Sequence, residues 1–193
     1  MALNDTNVKV AFTGAVRTAI LGTTAPATSV AVFGAGWVDL GYISEDGVTE
    51  TPNAEWNEIR AWQGRTIVRR SLTSADVQWK FTMIESKQET LEAFYVGSEM
   101  SVAGTEGILP IVSPSWNPRA WALDWIDGTV HERTIIPKAT VTERGDVVYN
   151  GEDAIGYEVT ITAIPSGAVD ASGSPIFATK YSDNPAWRAF SSA

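Results

Sequence analysis

The residues most able to do chemistry lie in GWVDLGYISEDGVTETP (residues 36–52), where four acids fall close together: Asp39, Glu45, Asp46 and Glu50. The first and last are eleven positions apart, which is the ligand spacing of a helix-loop-helix calcium loop. Such a loop also needs oxygen ligands at its third and fifth positions and glycine at its sixth. The chain has Gly41, Ile43 and Ser44 there, so the stretch does not fit a calcium site.

No other motif indicates catalysis. The chain has no cysteine and one histidine, His131, which excludes thiolate chemistry and most general-base arrangements. Dinucleotide, phosphate-loop and nucleophile-elbow motifs are absent from the sequence. A glycosidase pair could be drawn from Glu45, Asp46, Asp124 and Asp127, although acidic loops are usually just solvated. We expect no enzyme activity, no metal and no cofactor.

Composition narrows the class of protein. The 193 residues are enough for one substantial core, and the 44% hydrophobic content is typical of a folded chain. The net charge of −9 argues against a surface that clamps nucleic acid phosphates. No apolar run approaches the roughly 18 residues of a membrane span, and no signal peptide is recognisable. We therefore expect a cytoplasmic protein without membrane contact, and eight tryptophans suggest interfaces as well as a core.

The elements that would position these residues are mostly strands. Alternation of apolar and polar residues predicts strands over 7–14, 65–72, 76–84, 132–145 and 156–165. Within the acidic stretch it predicts a strand over 37–43 and then a turn at Glu45, Asp46 and Gly47. Trp79 and Phe81 share one apolar face with their neighbours and should belong to the core.

One segment, ESKQETLEAFYVG, has helical rather than strand spacing. It predicts a helix over about 86–96, with Leu91 and Phe94 facing the core. Ser86 and Glu89 would form a capping box at its start, and Gly97 would end it. The predicted fold class is therefore mainly β (α+β): an antiparallel β-sandwich or barrel-like domain with one flanking helix and long loops.

Long Gly/Pro-rich connections and an extended terminal arm accompany this domain. We predict a β domain over 1–165 and a C-terminal arm over 166–193. The C-terminal arm would dock on its own subunit or on a neighbouring one, and we favour the neighbour. Aromatic residues in such segments need to be covered, which suggests a set of intersubunit anchors. The candidates are Trp116 in the loop at 104–118, and Phe177, Tyr181, Trp187 and Phe190 in the C-terminal arm.

Several of these elements, in this order, resemble the major tail (tail-tube) proteins of long-tailed bacteriophages, in particular those of actinobacterial hosts. The resemblance covers residues 7 to about 165 and begins with AILGTTAPATS, which carries Gly22, Thr23 and Pro26. It continues through WQGRTIVRR, the strand-helix unit DVQWKFTMIESKQETLEAFYVG, RTIIPKATVT and YEVTITAIP. Its most telling part is the acidic stretch, carried by Trp37, Leu40, Gly41, Tyr42, Asp46 and Gly47.

The resemblance implies a virion structural protein that forms rings of six copies, stacked into a hollow tail tube through which the genome travels. The implied partners are the protein itself, the tape measure, tail terminator and distal tail proteins, and DNA that passes without specific binding. The tube would be assembled in the host bacterial cytoplasm. The acidic segment then becomes an assembly and surface element, comprising Trp37, Tyr42, Glu45, Asp46, Gly47 and Glu50. Arg65, Arg69 and Arg70 could pair with acids of a neighbouring subunit.

Two other functions remain open on sequence alone. Exposed tryptophans on a β-sandwich could stack on sugars, which is the design of a carbohydrate-binding module. Paired carboxylates could serve a hydrolase, which would need a pocket with at least one raised carboxyl pKa. Self-association into tubes would separate the structural function from both.

Overall fold

The computed structural model describes residues 5–188, and it is mainly β, as predicted. A short 3-10 turn (Asp5–Asn7) precedes the first strand. The strands are β1 (Thr13–Ile20), β2 (Val38–Asp39), β3 (Ile43–Arg60), β4 (Ile67–Met83), β5 (Ser101–Ala103), β6 (Glu106–Ile108), β7 (Arg119–Asp127), β8 (Val130–Arg144), β9 (Tyr157–Ala163) and β10 (Thr179–Ser182). The helices are α1 (Gln88–Phe94) and α2 (Pro185–Arg188).

All strands except β5 and β6 belong to one antiparallel sheet with the order β2-β1-β7-β8-β9-β4-β3, and β10 pairs with β8. The sheet curls because its two ends are joined by a short link. Leu40 donates its N–H to the carbonyl of Val16 in β1, and three residues later Ile43 pairs with Met83 of β4. The two ends therefore lie close together without hydrogen bonding into a closed barrel.

The core lies inside this curled sheet, and it is built from the strand faces that the alternation of apolar and polar residues predicts to be buried. Trp79, Phe81 and Met83 of β4 are buried, as are Val159 and Ile161 of β9. Phe81 contacts the ring of Trp121 from β7 edge-to-face with centroids 6.1 Å apart, although two strands separate them in the sheet. The assignment of Trp79 and Phe81 to the core is therefore confirmed.

The helix exists but begins two residues later than predicted and has no capping box. Lys87 occupies the N-cap position and makes no side-chain capping hydrogen bond. The Ser86 hydroxyl instead bonds the Tyr157 hydroxyl of β9 at 3.0 Å. A tertiary partner has thus replaced the local one. Phe94 is buried and Leu91 is packed against the core, as expected.

Three local predictions in the first 50 residues are wrong. The strand predicted over 37–43 is broken, because only Val38–Asp39 (β2) and Ile43, the first residue of β3, are strand. The alternating segment 7–12 is not a strand, and Val8, Val10 and Phe12 are exposed. The Glu45-Asp46-Gly47 segment does not turn between two strands but forms an irregularity inside β3, between the Ile43–Met83 and Val48–Phe81 pairs. Gly47 permits it by adopting φ +67°, which other residues rarely do.

The terminal segment contains regular structure that its sequence did not indicate. β10 pairs with β8 of the same chain, from Thr179–Ile135 to Ser182–Glu132, and α2 follows it. Phe177, just before β10, packs against the core cluster. This part of the predicted C-terminal arm therefore docks on its own subunit.

Candidate assembly surface

A two-stranded ribbon formed by β3 and β4 is exposed, and we call it the arm (residues 52–77); it is separate from the C-terminal arm at 166–193. β4 pairs with β9 only from Gln78 to Met83, so within residues 5–188 no other strand of the sheet borders the arm. Each of its strands is about ten residues long, which corresponds to roughly 30 Å. None of its residues is buried. Since a two-stranded ribbon alone is marginally stable in water, the arm calls for a covering partner.

The arm exposes large apolar side chains that a solitary ribbon cannot cover. Trp62, at the tip, is 96% exposed, and Trp56 forms a cross-strand pair with Leu72 in which both side chains are exposed. The full set of exposed large apolar residues here is Trp56, Ile59, Trp62, Ile67, Val68 and Leu72. An exposed concentration of aromatic and aliphatic side chains is typical of a protein interaction site.

The tip of the arm is basic, although the chain as a whole is acidic. Four of the 14 basic residues lie between positions 60 and 70: Arg60, Arg65, Arg69 and Arg70. Glu58 pairs with Arg60 at 2.7 Å and with Arg70 at 2.8 Å. Of the arginines predicted to meet a neighbouring subunit, Arg70 is thus partly neutralised within its own ribbon. Among residues 5–188, no acidic side chain lies within 4.0 Å of Arg65 or Arg69.

The acidic segment divides into exposed and internally bonded parts. Glu45 and Asp46 are exposed, and Tyr42 is 74% exposed while its N–H donates to Glu85. Glu50 instead accepts from the Trp79 indole at 2.9 Å and pairs with Lys180 of β10 at 2.8 Å. Asp39 pairs with Arg17, so the two ends of the imagined calcium loop do not share a site.

A cavity of about 440 Å³ lies between the unjoined edges of the curled sheet, and we call it the seam. One wall comes from residues 11–16 and the other from residues 41–45, 47, 48 and 50, with Trp79 and Lys180 also lining it. Asp46 lies next to this second wall in the chain and is exposed. Phe12 and Tyr42 at the seam are largely exposed. The acidic segment therefore lines a gap between two strand edges, which offer backbone hydrogen-bonding groups to another chain.

A buried ionic cluster holds the long loop at 21–37 against the sheet. Arg133 is only 6% exposed and contacts Asp124 through Nε and Nη2, at 2.6 and 3.2 Å. Its Nη1 donates to the carbonyls of Thr28 and Ala31 in the loop. Arg17 also pairs with Asp124, at 2.6 Å, and both guanidinium groups lie over the Phe33 ring. The loop is thus fixed by charge-assisted bonds and cation–π contacts.

Comparison with known proteins supplies the context for these surfaces. A family model described as phage tail tube protein matches residues 1–174, which is most of the chain. The chain belongs to the phage tail tube protein family. It is therefore a structural component of a virion tail, as the resemblance implied. No curated protein matches this tail tube protein significantly.

The predicted anchors of the tail tube protein lie in different surroundings. Trp116 is 70% exposed in the loop before β7, and Trp187 is exposed on α2. Phe177 and Tyr181 are partly buried, the first against the core and the second within β10. Phe190 lies outside the described residues. Trp37 is partly buried, where its indole donates to the Thr24 carbonyl and its ring contacts Phe33.

Of the four carboxylates considered for catalysis in this tail tube protein, Glu45 and Asp46 are exposed, and Asp124 and Asp127 are engaged by different partners. Asp124 is held by two arginines, and Asp127 accepts from the Val10 N–H and lies 4.0 Å from Lys9. His131 donates its backbone N–H to Asp183. Over residues 5–188, no group of three or more metal-binding side chains is found, and no helix is long and apolar enough to span a membrane.

Sequence reasoning missed the arm of the tail tube protein, although it identified its arginines. The sequence analysis predicts no element over residues 51–61, where polar and apolar residues follow no sustained period. The available signal is the pair of tryptophans, Trp56 and Trp62, on either side of the mostly polar segment NEIRA. Large aromatics within so polar a segment indicate a partner rather than a core.

Proposed function

We propose that this tail tube protein forms rings of six copies, and that the rings stack into a hollow tube that conducts the genome into the host. The arm carries the proposal, because it projects exposed tryptophans on a ribbon that needs a partner. Family membership makes another copy of the chain the natural partner. The number six comes from the resemblance noted in the sequence.

The charge of the chain supports a conduit. Each copy carries −9, and in the proposed ring part of this negative charge faces the bore. An acidic lining repels phosphates and lets DNA slide, whereas a basic lining would hold it with a salt-dependent affinity. In the proposed assembly, which takes place in the host cytoplasm, the ends of the tube meet the tape measure, terminator and distal tail proteins.

Electron microscopy of the purified protein over a range of concentrations, with light scattering alongside, tests this function. The matched variant replaces residues 53–76 by Asn-Gly, so that the paired residues Pro52 and Val77 are joined by a two-residue hairpin turn. We expect hollow tubes of uniform bore from the natural chain and a folded monomer from the variant. A natural chain that stays monomeric at every concentration would contradict the proposal.

The carbohydrate-binding alternative rests on the same exposed tryptophans and makes the opposite prediction. Trp56 and Trp62 lie on the arm and Trp116 lies on a separate loop. A sugar-binding module would be monomeric, and its tryptophan fluorescence would change on adding glycans. Tubes with no fluorescence response to glycans would exclude it.

A further inference from the structure

Charged side chains of opposite sign lie near the start of β3 and at the tip of the arm, where β3 leads into β4. Glu45 and Asp46 lie exposed in the irregularity near its start, while Arg65 and Arg69 lie at the tip of the arm. Within the part of the chain that the structure describes, none of these four side chains has an oppositely charged partner within 4.0 Å. Both groups therefore remain available to another molecule.

The two groups cannot meet within one subunit. The paired run of β3 from Val48 to Arg60 separates them, and extended chain of that length spans about 40 Å. Salt bridges need contact distances, so the acids of one subunit can meet only the arginines of another. Since every copy carries both groups, a second copy of this chain is chemically sufficient as the partner.

The seam offers a place for the tip that matches it in more than charge. Phe12 and Tyr42, which are 86% and 74% exposed, line the same cavity as Glu45. The tip brings the exposed Trp62 and Ile59 together with its arginines. Aromatic and guanidinium groups facing aromatic and carboxylate groups are well suited to a specific interface.

We propose that the tip of the arm of one subunit docks at the seam of the next, with Arg65 and Arg69 facing Glu45 and Asp46. The donor and acceptor surfaces differ, so the contact is head-to-tail and each subunit has one of each. Such a contact repeats until it closes into a ring or continues as a helical filament. The inference rests on the proposed function and names the surfaces through which the copies join.

Complementary charge reversal tests the contact. One variant carries Arg65→Glu and Arg69→Glu, so that its arm and seam are both acidic. The other carries Glu45→Lys and Asp46→Lys, so that its arm and seam are both basic. Each variant alone should assemble at least about tenfold more weakly than the natural chain, because like charges meet at the contact. Mixed in equal amounts, they should assemble again, since each arm then faces a seam of opposite charge.

The readouts are the critical concentration by light scattering and the particles seen by electron microscopy. A control with Glu152→Lys and Asp153→Lys makes the same change in net charge as the variant with Glu45→Lys and Asp46→Lys, but at another exposed acidic loop, and it should assemble like the natural protein. All the substituted side chains are exposed, so thermal unfolding of each variant should match the natural chain.

The outcomes separate this inference from the proposed function. If the natural chain forms tubes and both reversed variants also do so, the arm–seam contact is refuted while the tube remains. Folded variants that fail alone and also fail when mixed refute the pairing of these charges. A natural chain that does not self-associate under any condition refutes the proposed function, and this inference with it.

Discussion

Replacing Arg133 by methionine should be the most damaging single change to the ionic cluster beneath the loop at 21–37. The substitution keeps much of the side-chain volume but removes the four hydrogen bonds that Arg133 donates, two to Asp124 and one each to the carbonyls of Thr28 and Ala31. Because Arg133 is 6% exposed, water cannot easily replace the lost donors.

The expected magnitude follows from burial and from the partner that remains. Breaking a buried ion pair by removing one member costs roughly 3–5 kcal/mol. Asp124 would keep Arg17 at 2.6 Å, so its charge is not left alone and the lower end, about 3 kcal/mol, applies. For a chain of this size, that loss lowers Tm by roughly 6–12 °C.

Arg17→Met is the matched control because it removes the other arginine of the same cluster. The Arg17 side chain is 24% exposed and that of its second partner Asp39 is 44% exposed, so solvent screens the loss. We expect it to cost about 1 kcal/mol. Thermal unfolding of dilute, monomeric protein at neutral pH measures both variants. If Arg133→Met lowered Tm no more than Arg17→Met, the cluster would not be the anchor described here.

Three further predictions concern separate parts of the fold. Gly41→Ala should cost about 1–3 kcal/mol in urea unfolding, because Gly41 has φ +79° and an added Cβ would displace the Glu85 carboxylate that accepts from the Tyr42 N–H. Gly151→Ala, at an open loop position, should cost far less. Phe177→Ala should cost about 2 kcal/mol if the terminal segment docks on its own core, and an unchanged urea midpoint would contradict that docking. Burial raises the pKa of Glu132, so the native state binds the Glu132 proton more tightly than the unfolded chain does. The resulting contribution to stability is complete below a pH of about 4.5 and is lost as the pH rises through the folded pKa. Glu132→Gln should therefore flatten the fall in Tm above that pH, and parallel profiles for the two proteins would argue against it.

The sequence by itself determined the fold class, most of the core and the family. Alternation with a period of two follows directly from the pleat of a half-buried strand, so β4 and β9 and their buried faces could be predicted from local pattern. Several sequence elements, each a weak signal alone, occur in the order that is typical of tail-tube proteins. The family match confirms this resemblance.

Tertiary structure decided the features that depend on distant partners. Ser86 left its local capping role for the hydroxyl of Tyr157, 71 positions away. In the sequence Glu50 is one of four acids in the same segment. In the structure it accepts a hydrogen bond from Lys180, 130 positions away, whereas Glu45 is exposed. Segment 7–12 alternates like a strand but has no sheet face to bury, whereas the arm is a strand pair without a buried face to mark it. Local pattern reports which face of a segment is apolar, but only the packed chain decides whether anything covers that face.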